Sequence, residues 1–154
     1  MRMRIRGLPA EHFSSLSTMT DEQLAREHAV RVRVGEREHP PCRISLTDAR
    51  PGDEVLLVNY ERHPVESPYR SRFAIYVRAG EQTCDAVDSV PMQLRSRFLA
   101  LRAYDAQGML VAYELGTGQA LEQIANRQLV DARAAYVHVH YAAAGCYAAR
   151  IDRA

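Results

Sequence analysis

The segment Tyr136-Val-His-Val-His-Tyr-Ala-Ala-Ala-Gly-Cys-Tyr-Ala-Ala-Arg-Ile151 decides the fold. Side chains two residues apart lie on one face of an extended strand, so His138 and His140 share a face while the alternating valines share the other. A turn of small residues follows, and a second strand then carries Cys146 and Arg150. The pattern predicts a β-hairpin with one buried face and one face that serves a polar purpose.

The other strands are predicted by the same alternation and by their β-branched and aromatic residues. They lie at residues 1–7, 28–36, 54–60, 72–78, 98–104 and 109–115. Helix signals, namely caps and a first-turn proline, mark residues 20–27, 91–97 and 119–129. Because short turns join most strands, we predict an α+β fold with a mostly antiparallel sheet of about seven to eight strands and two or three short helices.

Length and composition are those of an ordinary globular protein. The chain has 154 residues, which predicts a single domain spanning residues 1–154. It has no apolar run long enough to cross a bilayer, and residues 1–7 alternate charges where a secretory signal needs a continuous apolar core. Three cysteines without an export signal fit reduced thiols. We therefore expect a cytoplasmic protein that does not associate with membranes.

Every basic side chain is an arginine, and the 20 basic residues are balanced by 19 acidic ones. Arginines alternate with apolar residues in the first two strands, but without a basic excess we interpret them as ion-paired across a solvated sheet face. We expect no nucleic-acid partner. The absence of lysine also excludes Schiff-base lysine chemistry and a P-loop lysine.

The His138–His140 pair has the spacing of a bidentate metal ligand, but a metal site needs a third protein ligand. Metal sites of the cupin kind carry a glutamate shortly after the second histidine, where this chain has Ala144 and Gly145. The alternative interpretation is a pair of hydrogen-bonded histidines on a sheet face. We therefore predict no bound metal and no cofactor.

Two cysteines are candidate nucleophiles. A four-residue turn, Ala142–Gly145, places Cys146 opposite Tyr141 on the valine face, whereas a five-residue turn places it opposite His140. The four-residue turn is at least as common, so we predict a buried Cys146. Cys42 follows two prolines and precedes an arginine, which either activates the thiol or simply marks a buried strand start.

The loop Ser67-Pro-Tyr-Arg-Ser-Arg72 brings Tyr69 and Arg70 close together before a strand. Arginine recognises carboxylate and phosphate groups through paired N–H donors, so an anion site is one interpretation. The other is a proline turn whose arginines pair with nearby glutamates. Gly116-Thr-Gly118 hints at a phosphate loop, but a turn followed by a helix cap at Thr117 explains it equally well.

Several segments are distinctive in combination. They are Pro41-Cys-Arg-Ile-Ser-Leu-Thr-Asp-Ala49, Pro51-Gly-Asp-Glu-Val-Leu-Leu-Val-Asn-Tyr60, Ser67-Pro-Tyr-Arg70, Phe73-Ala-Ile-Tyr-Val-Arg78, Val137-His-Val-His140 and Gly145-Cys-Tyr-Ala-Ala-Arg150. Together they resemble a bacterial family catalogued as domain of unknown function 1203, across nearly the whole chain. The resemblance implies a compact bacterial single-domain protein and no particular activity. Where that family has an asparagine after the second histidine, this chain has Tyr141.

Our leading hypothesis is a domain that binds a small anionic molecule in one pocket lined by arginine and histidine, with acid/base catalysis left open. His138 and His140 are the candidate catalytic residues, because imidazole exchanges protons near neutral pH. The basis is that polar residues recur inside apolar strand patterns, where an unneeded charge is costly to bury. The candidate ligand-binding residues are Arg43, Tyr69, Arg70, Arg78 and Arg150.

Two alternatives stay open. One is a cysteine-dependent enzyme with Cys146 or Cys42 as nucleophile and a histidine as base. The other is a non-enzymatic protein-interaction domain, whose sign would be a large exposed apolar patch. The sequence carries no signal for an oligomeric state.

Overall fold

A computed structural model describes residues 1–154 and contains nine strands and three α-helices. The strands are β1 Met3–Arg6, β2 Ala29–Arg33, β3 Glu54–His63, β4 Ser71–Val77, β5 Asp85–Val87, β6 Phe98–Tyr104, β7 Leu110–Thr117, β8 Tyr136–Tyr141 and β9 Tyr147–Arg153. The helices are α1 Asp21–Arg26, α2 Met92–Arg95 and α3 Leu121–Val130. The predicted α+β class is confirmed. No helix has the length and apolar character needed to cross a membrane.

The strands form two sheets, and every strand pair is antiparallel. A six-stranded sheet has the order β5-β1-β9-β8-β6-β7, and a three-stranded sheet has the order β2-β3-β4. The sequence pattern had suggested one sheet. A single sheet would leave one of its faces exposed to water. The strands form two sheets because the smaller sheet then covers that face of the larger one.

One face of the larger sheet packs against α3. Val137 and Val139 of β8 are fully buried in this core, as their alternation predicts. Helix α3 contributes the apolar side chains that repeat every three or four residues, Leu121, Ile124, Ala125 and Leu129. The hairpin β8–β9 therefore lies at the centre of the molecule.

The opposite face of the larger sheet is covered by the smaller sheet. Leu56 and Val58 of β3 and Ile75 of β4 pack with Tyr147 of β9 in a second core cluster. Both faces of β8 are consequently buried, and all six of its residues are buried. The predicted polar face of this strand is an interior face.

The turn between β8 and β9 has the predicted four-residue form. The Tyr141 N–H donates to the Cys146 carbonyl at 3.0 Å, and the Gly145 N–H donates to the Tyr141 carbonyl at 2.8 Å. Gly145 has a φ of 75°, a conformation that glycine adopts without strain. Cys146 packs against the α3 side of the sheet, as this register predicts, but it is only half-buried because it lies at the end of the turn, so the prediction of a buried Cys146 is wrong.

Two helix signals had different outcomes. Thr20 caps α1 through a complete capping box with Gln23, as predicted. Thr117 makes no side-chain cap, and α3 begins only after a 3₁₀ turn, so that prediction is wrong. Gly118 is required for packing, since a Cβ there would lie 1.9 Å from the Leu94 carbonyl oxygen. Gly118 of the Gly-Thr-Gly motif therefore lies in close backbone contact with α2.

Candidate functional site

His138 and His140 lie between the two sheets, and each is only 1% exposed. Their rings are surrounded by aromatic side chains. His138 lies edge-on to Tyr147 with ring centres 5.1 Å apart, and His140 lies edge-on to Phe73 at 5.1 Å. The prediction that both histidines lie on one side of the strand is correct. That side faces aromatic rings, whereas a polar surface was expected.

His63, at the end of β3, is the best-bonded histidine in this interior. Its Nδ1 lies 2.8 Å from the Tyr69 carbonyl oxygen, and its Nε2 lies 2.8 Å from the Tyr136 hydroxyl. A carbonyl only accepts, so Nδ1 carries the proton and Nε2 accepts from Tyr136. Burial lowers the pKa of His63, which keeps this arrangement neutral. The loop carrying Tyr69 is thereby tied to β8.

His140 follows the same logic with one bond fewer. Its Nδ1 is 3.0 Å from the Gly145 carbonyl oxygen, so Nδ1–H donates and Nε2 is a bare acceptor without a partner. His138 makes no hydrogen bond to the protein, and its Nε2 is likewise buried without a partner.

The charge state of both imidazoles follows from their burial. Burial lowers the pKa of His140 to about 4 and the pKa of His138 well below its usual value. The nearby charge of Arg62 lowers the pKa of His138 further. Both rings are therefore neutral at physiological pH and supply no positive charge to an anion. No group of three His, Cys, Asp or Glu side chains has the arrangement of a metal site.

A polar cleft of about 470 Å³ opens where the two sheets meet the N-terminal segment. We call it the arginine cleft. Its lining residues are Arg6, Gly7, Pro9, Glu11, His12, Tyr60, Arg62, Thr83 and Arg150. Arg6 comes from β1 and Arg150 from β9, while Tyr60 and Arg62 come from β3 of the smaller sheet. Three guanidinium groups thus reach one cleft from two different sheets.

Two of these arginines share a carboxylate. Asp152 accepts from Arg6 at 2.7 Å and pairs with Arg150 at 2.7 Å. Burial alone would raise the pKa of Asp152, but the hydrogen bonds from Arg150 and Arg6 outweigh it and lower the pKa. Asp152 therefore stays ionised and holds two guanidinium groups side by side at the cleft wall.

Arg62 differs because no carboxylate pairs with it. Its guanidinium carbon lies 4.8 Å from the centre of the Tyr147 ring, and its Nε is buried without a hydrogen-bond partner. Arg150 similarly lies 4.1 Å from the centre of the Tyr136 ring. These two cations separate the cleft from the buried histidines behind them. With Glu11 and Asp152 as the nearby carboxylates, the cleft keeps an excess of positive charge.

Arg150 is the one predicted ligand-binding residue that lines this cleft. Arg43 is 2% exposed and is held elsewhere by the Tyr147 carbonyl at 2.8 Å, the Cys146 sulfur at 3.1 Å and the Pro41 carbonyl. Its guanidinium links the loop at residues 41–43 to the C-terminal hairpin. Arg43 therefore lies in the interior of the protein, away from the cleft.

The other predicted residues lie outside the cleft as well. Arg70 pairs with Glu61 at 2.9 Å and Glu66 at 2.6 Å, as the alternative interpretation of its loop expects. Arg78 pairs with Asp53 at 2.6 Å and with Glu81 at 3.0 Å. The structure does not bring either guanidinium to the histidines. Tyr69 reaches that interior through its carbonyl and through its ring, which lies 6.0 Å from that of Tyr104.

The candidate nucleophiles have unequal surroundings. Cys42 is fully buried, and burial raises its pKa to about 12, so a thiolate is strongly disfavoured there. Cys146 is half-buried and lies against the Arg43 guanidinium, on the opposite side of the sheet from His140. Cys42 packs in a small apolar cluster that contains no histidine, so neither cysteine has a histidine beside it to act as a base.

Arg62 was missed because the predicted strand ended at residue 60, and Tyr60 was read only as a strand residue. Strand β3 continues to His63, and Tyr60 and Arg62 lie two residues apart on the face that carries Val58. An irregularity between Glu61 and His63 then also turns His63 inward. Continuing the alternation past Tyr60 would have identified Arg62. No sequence signal pointed to the contributions of Arg6 and His12.

Comparison with known proteins gives one result. The sequence pattern of the family described as protein of unknown function (DUF1203) matches residues 39–153. No curated protein and no solved structure has a significant match to the chain. The matched range contains β3 through β9 and therefore Tyr60, Arg62 and Arg150 of the cleft, whereas Arg6 and His12 precede it. Since the match covers well over half of the sequence, the chain belongs to the DUF1203 family.

Proposed function

We propose that the protein binds a small anionic molecule in the arginine cleft, with Arg62 as the principal ligand and Arg150 and Arg6 beside it. The observation that carries this proposal is the state of Arg62. It is half-buried, it has no carboxylate partner, and its Nε is buried without a hydrogen bond. A buried donor without a partner destabilises the protein, and an anion in the cleft would provide that partner.

Guanidinium chemistry supports this choice of ligand. Arginine presents parallel N–H donors that match the oxygens of a carboxylate or a phosphate. Asp152 occupies donors of Arg6 and Arg150 but leaves the Arg6 Nε buried and unpartnered as well. The cleft therefore holds two arginines with unused donors and an excess of positive charge.

In this proposal the buried histidines support the site through Tyr147. The rings of His138 and His140 meet the Tyr147 ring edge-on at 5.1 and 6.0 Å. Tyr147 in turn carries the Arg62 guanidinium on its face. The imidazoles thus fix the aromatic surface on which the ligand-binding cation lies. Acid/base catalysis by His138 or His140 stays a prediction.

Isothermal titration calorimetry with inorganic phosphate and with acetate tests the proposal. Arg62→Met keeps the apolar stem over Tyr147 and removes the charge, so the affinity for the bound anion should fall about tenfold or more. Arg70→Met is the matched control, because it removes an arginine that already pairs with Glu61 and Glu66. An equal loss in both variants, or no binding to the unmodified protein, would exclude the arginine cleft as an anion site.

The interaction-domain alternative has one supporting observation. Phe98, Tyr113 and Leu115 of the β6–β7 hairpin are largely exposed, on the part of the larger sheet that the smaller sheet does not cover. Exposed apolar groups of this kind are typical of protein contacts. Light scattering of the unmodified protein and of Leu115→Ser tests it. If copies of the chain associate through this strip, the variant should have a lower molar mass than the unmodified protein.

The cysteine-enzyme alternative has less support, because both candidate thiols lack a neighbouring histidine.

We retain the cytoplasm as the proposed location. The three cysteines are free thiols, which suits a reducing compartment.

A further inference from the structure

The arginine cleft contains a histidine–tyrosine pair that the anion proposal does not use. His12 ends a 3₁₀ turn, Ala10–His12, and its Nδ1 lies 2.6 Å from the Tyr60 hydroxyl. The Tyr60 ring is held from the other side by Phe13, with ring centres 4.9 Å apart. Tyr60 precedes Arg62 by two residues, so both side chains lie on one face of β3 and enter the same cleft.

The contact with Tyr60 occupies Nδ1 of His12 and leaves Nε2 free to meet a ligand. Burial raises the pKa of Tyr60, so its hydroxyl keeps its proton and can either donate to a bare Nδ1 of His12 or accept from Nδ1–H. When the hydroxyl donates, the ring proton of His12 lies on Nε2, which has no hydrogen-bond partner in the protein. In that tautomer His12 presents an N–H donor to the cleft.

The donors of the cleft come from different directions. Arg62 extends from the smaller sheet, Arg6 and Arg150 from the larger sheet, and His12 from the N-terminal turn. A planar carboxylate accepts hydrogen bonds within one plane, and a single guanidinium fork matches both of its oxygens. A phosphate group directs its oxygens outward tetrahedrally and accepts hydrogen bonds from several sides at once.

Resting on the proposed anion site, we infer that the cleft selects a phosphate group over a carboxylate, with His12 Nε2–H as an additional donor that Tyr60 holds in position. A phosphate near neutral pH carries between one and two negative charges, which suits three guanidinium groups opposed by Asp152 and Glu11. The cleft volume of about 470 Å³ also leaves room for an organic group attached to the phosphate. Free phosphate and a small phosphate monoester therefore share the recognition chemistry.

Calorimetric titration with inorganic phosphate, glycerol 3-phosphate and acetate tests the inference. Phosphate should bind about tenfold or more tightly than acetate, the effect of one additional charge-assisted hydrogen bond. Tighter binding of glycerol 3-phosphate identifies a phosphorylated small molecule, and tighter binding of inorganic phosphate identifies the free ion. His12→Ala should remove most of the preference for phosphate and leave acetate binding unchanged.

The tautomer of His12 gives an independent measurement of the role of Tyr60. Nitrogen-15 NMR of the imidazole should show a protonated Nε2 and a bare Nδ1 in the neutral ring, and Tyr60→Phe should give a mixture of tautomers. Phenylalanine keeps the aromatic ring, so the variant should fold. A thermal unfolding curve like that of the unmodified protein confirms this. Equal affinity for acetate and phosphate would overturn the inference and leave the anion site intact. No binding of either anion would overturn both.

Discussion

The guanidinium carbon of Arg62 lies 4.8 Å from the centre of the Tyr147 ring, on the side of that ring that faces the arginine cleft. Tyr147 is fully buried, and its ring meets His138 and His140 edge-on. This contact joins the histidine interior to the polar cleft. A change to either residue should therefore affect both the stability of the fold and the binding of an anion.

Tyr136→Phe should destabilise the protein. The variant removes the hydroxyl that donates to His63 and leaves the His63 Nε2 buried without a partner. We expect a loss of about 1–2 kcal/mol in the free energy of unfolding, measured by urea denaturation. Tyr113→Phe is the control, since Tyr113 is 78% exposed and should show no change. An equal effect in both variants would argue against the His63–Tyr136 bond.

His138→Phe should leave stability unchanged or increase it slightly. His138 packs among aromatic rings and makes no hydrogen bond to the protein, so an apolar ring of similar shape avoids the cost of burying imidazole nitrogens. His63→Phe is the comparison, because it breaks two hydrogen bonds and should cost about 2–3 kcal/mol. A large loss for His138→Phe would reveal a polar partner of this ring.

Acid should destabilise the fold before most carboxylates titrate. The pKa of His140 is about 4 in the folded state and near 6.5 in the unfolded state, so the unfolded state binds more protons between these values. The stability is complete above pH 6.5 and falls as the pH approaches 4, by about 3 kcal/mol from this residue. Urea denaturation across this range should show the decline, and His140→Gln should reduce it without abolishing it, because burial also lowers the pKa of His138 and of His63. A profile unchanged by the substitution would show that His140 is not buried in neutral form.

Cys42 should resist alkylation in the folded protein. It is inaccessible to solvent, and burial raises its pKa to about 12, so the reactive thiolate is scarce at neutral pH. Mass spectrometry after treatment with iodoacetamide should find Cys42 unmodified until urea is added, while the half-buried Cys146 reacts earlier. Rapid modification of Cys42 in the native state would restore it as a candidate nucleophile.

Local sequence patterns predicted much of the fold correctly. The alternation of valine and histidine in β8 correctly assigned Val137 and Val139 to the core, and the length of the turn correctly oriented Cys146. These predictions succeeded because side-chain period and turn geometry are properties of a few consecutive residues. Whether the other side of β8 faces water depends on a second sheet formed from distant residues, which alternation alone does not reveal.

The candidate site was predicted less completely for the same reason. Arg150 was identified, but Arg43, Arg70 and Arg78 pair with groups that are remote in sequence or lie in adjoining loops. An arginine that binds a ligand and one that satisfies a carboxylate are indistinguishable in a strand pattern. Only the three-dimensional arrangement reveals that Arg62 lacks a carboxylate partner.

NMR observation of the arginine Nε–H groups during titration with inorganic phosphate tests the central claim most directly. The resonances are assigned by their loss in Arg62→Met, Arg150→Met and Arg70→Met. The anion-site account predicts saturable shifts of the Arg62 and Arg150 signals and a constant Arg70 signal, because the first two line the cleft and Arg70 is occupied by Glu61 and Glu66. Shifts of Arg70 that match those of Arg62, or no shift at Arg62, would contradict the account.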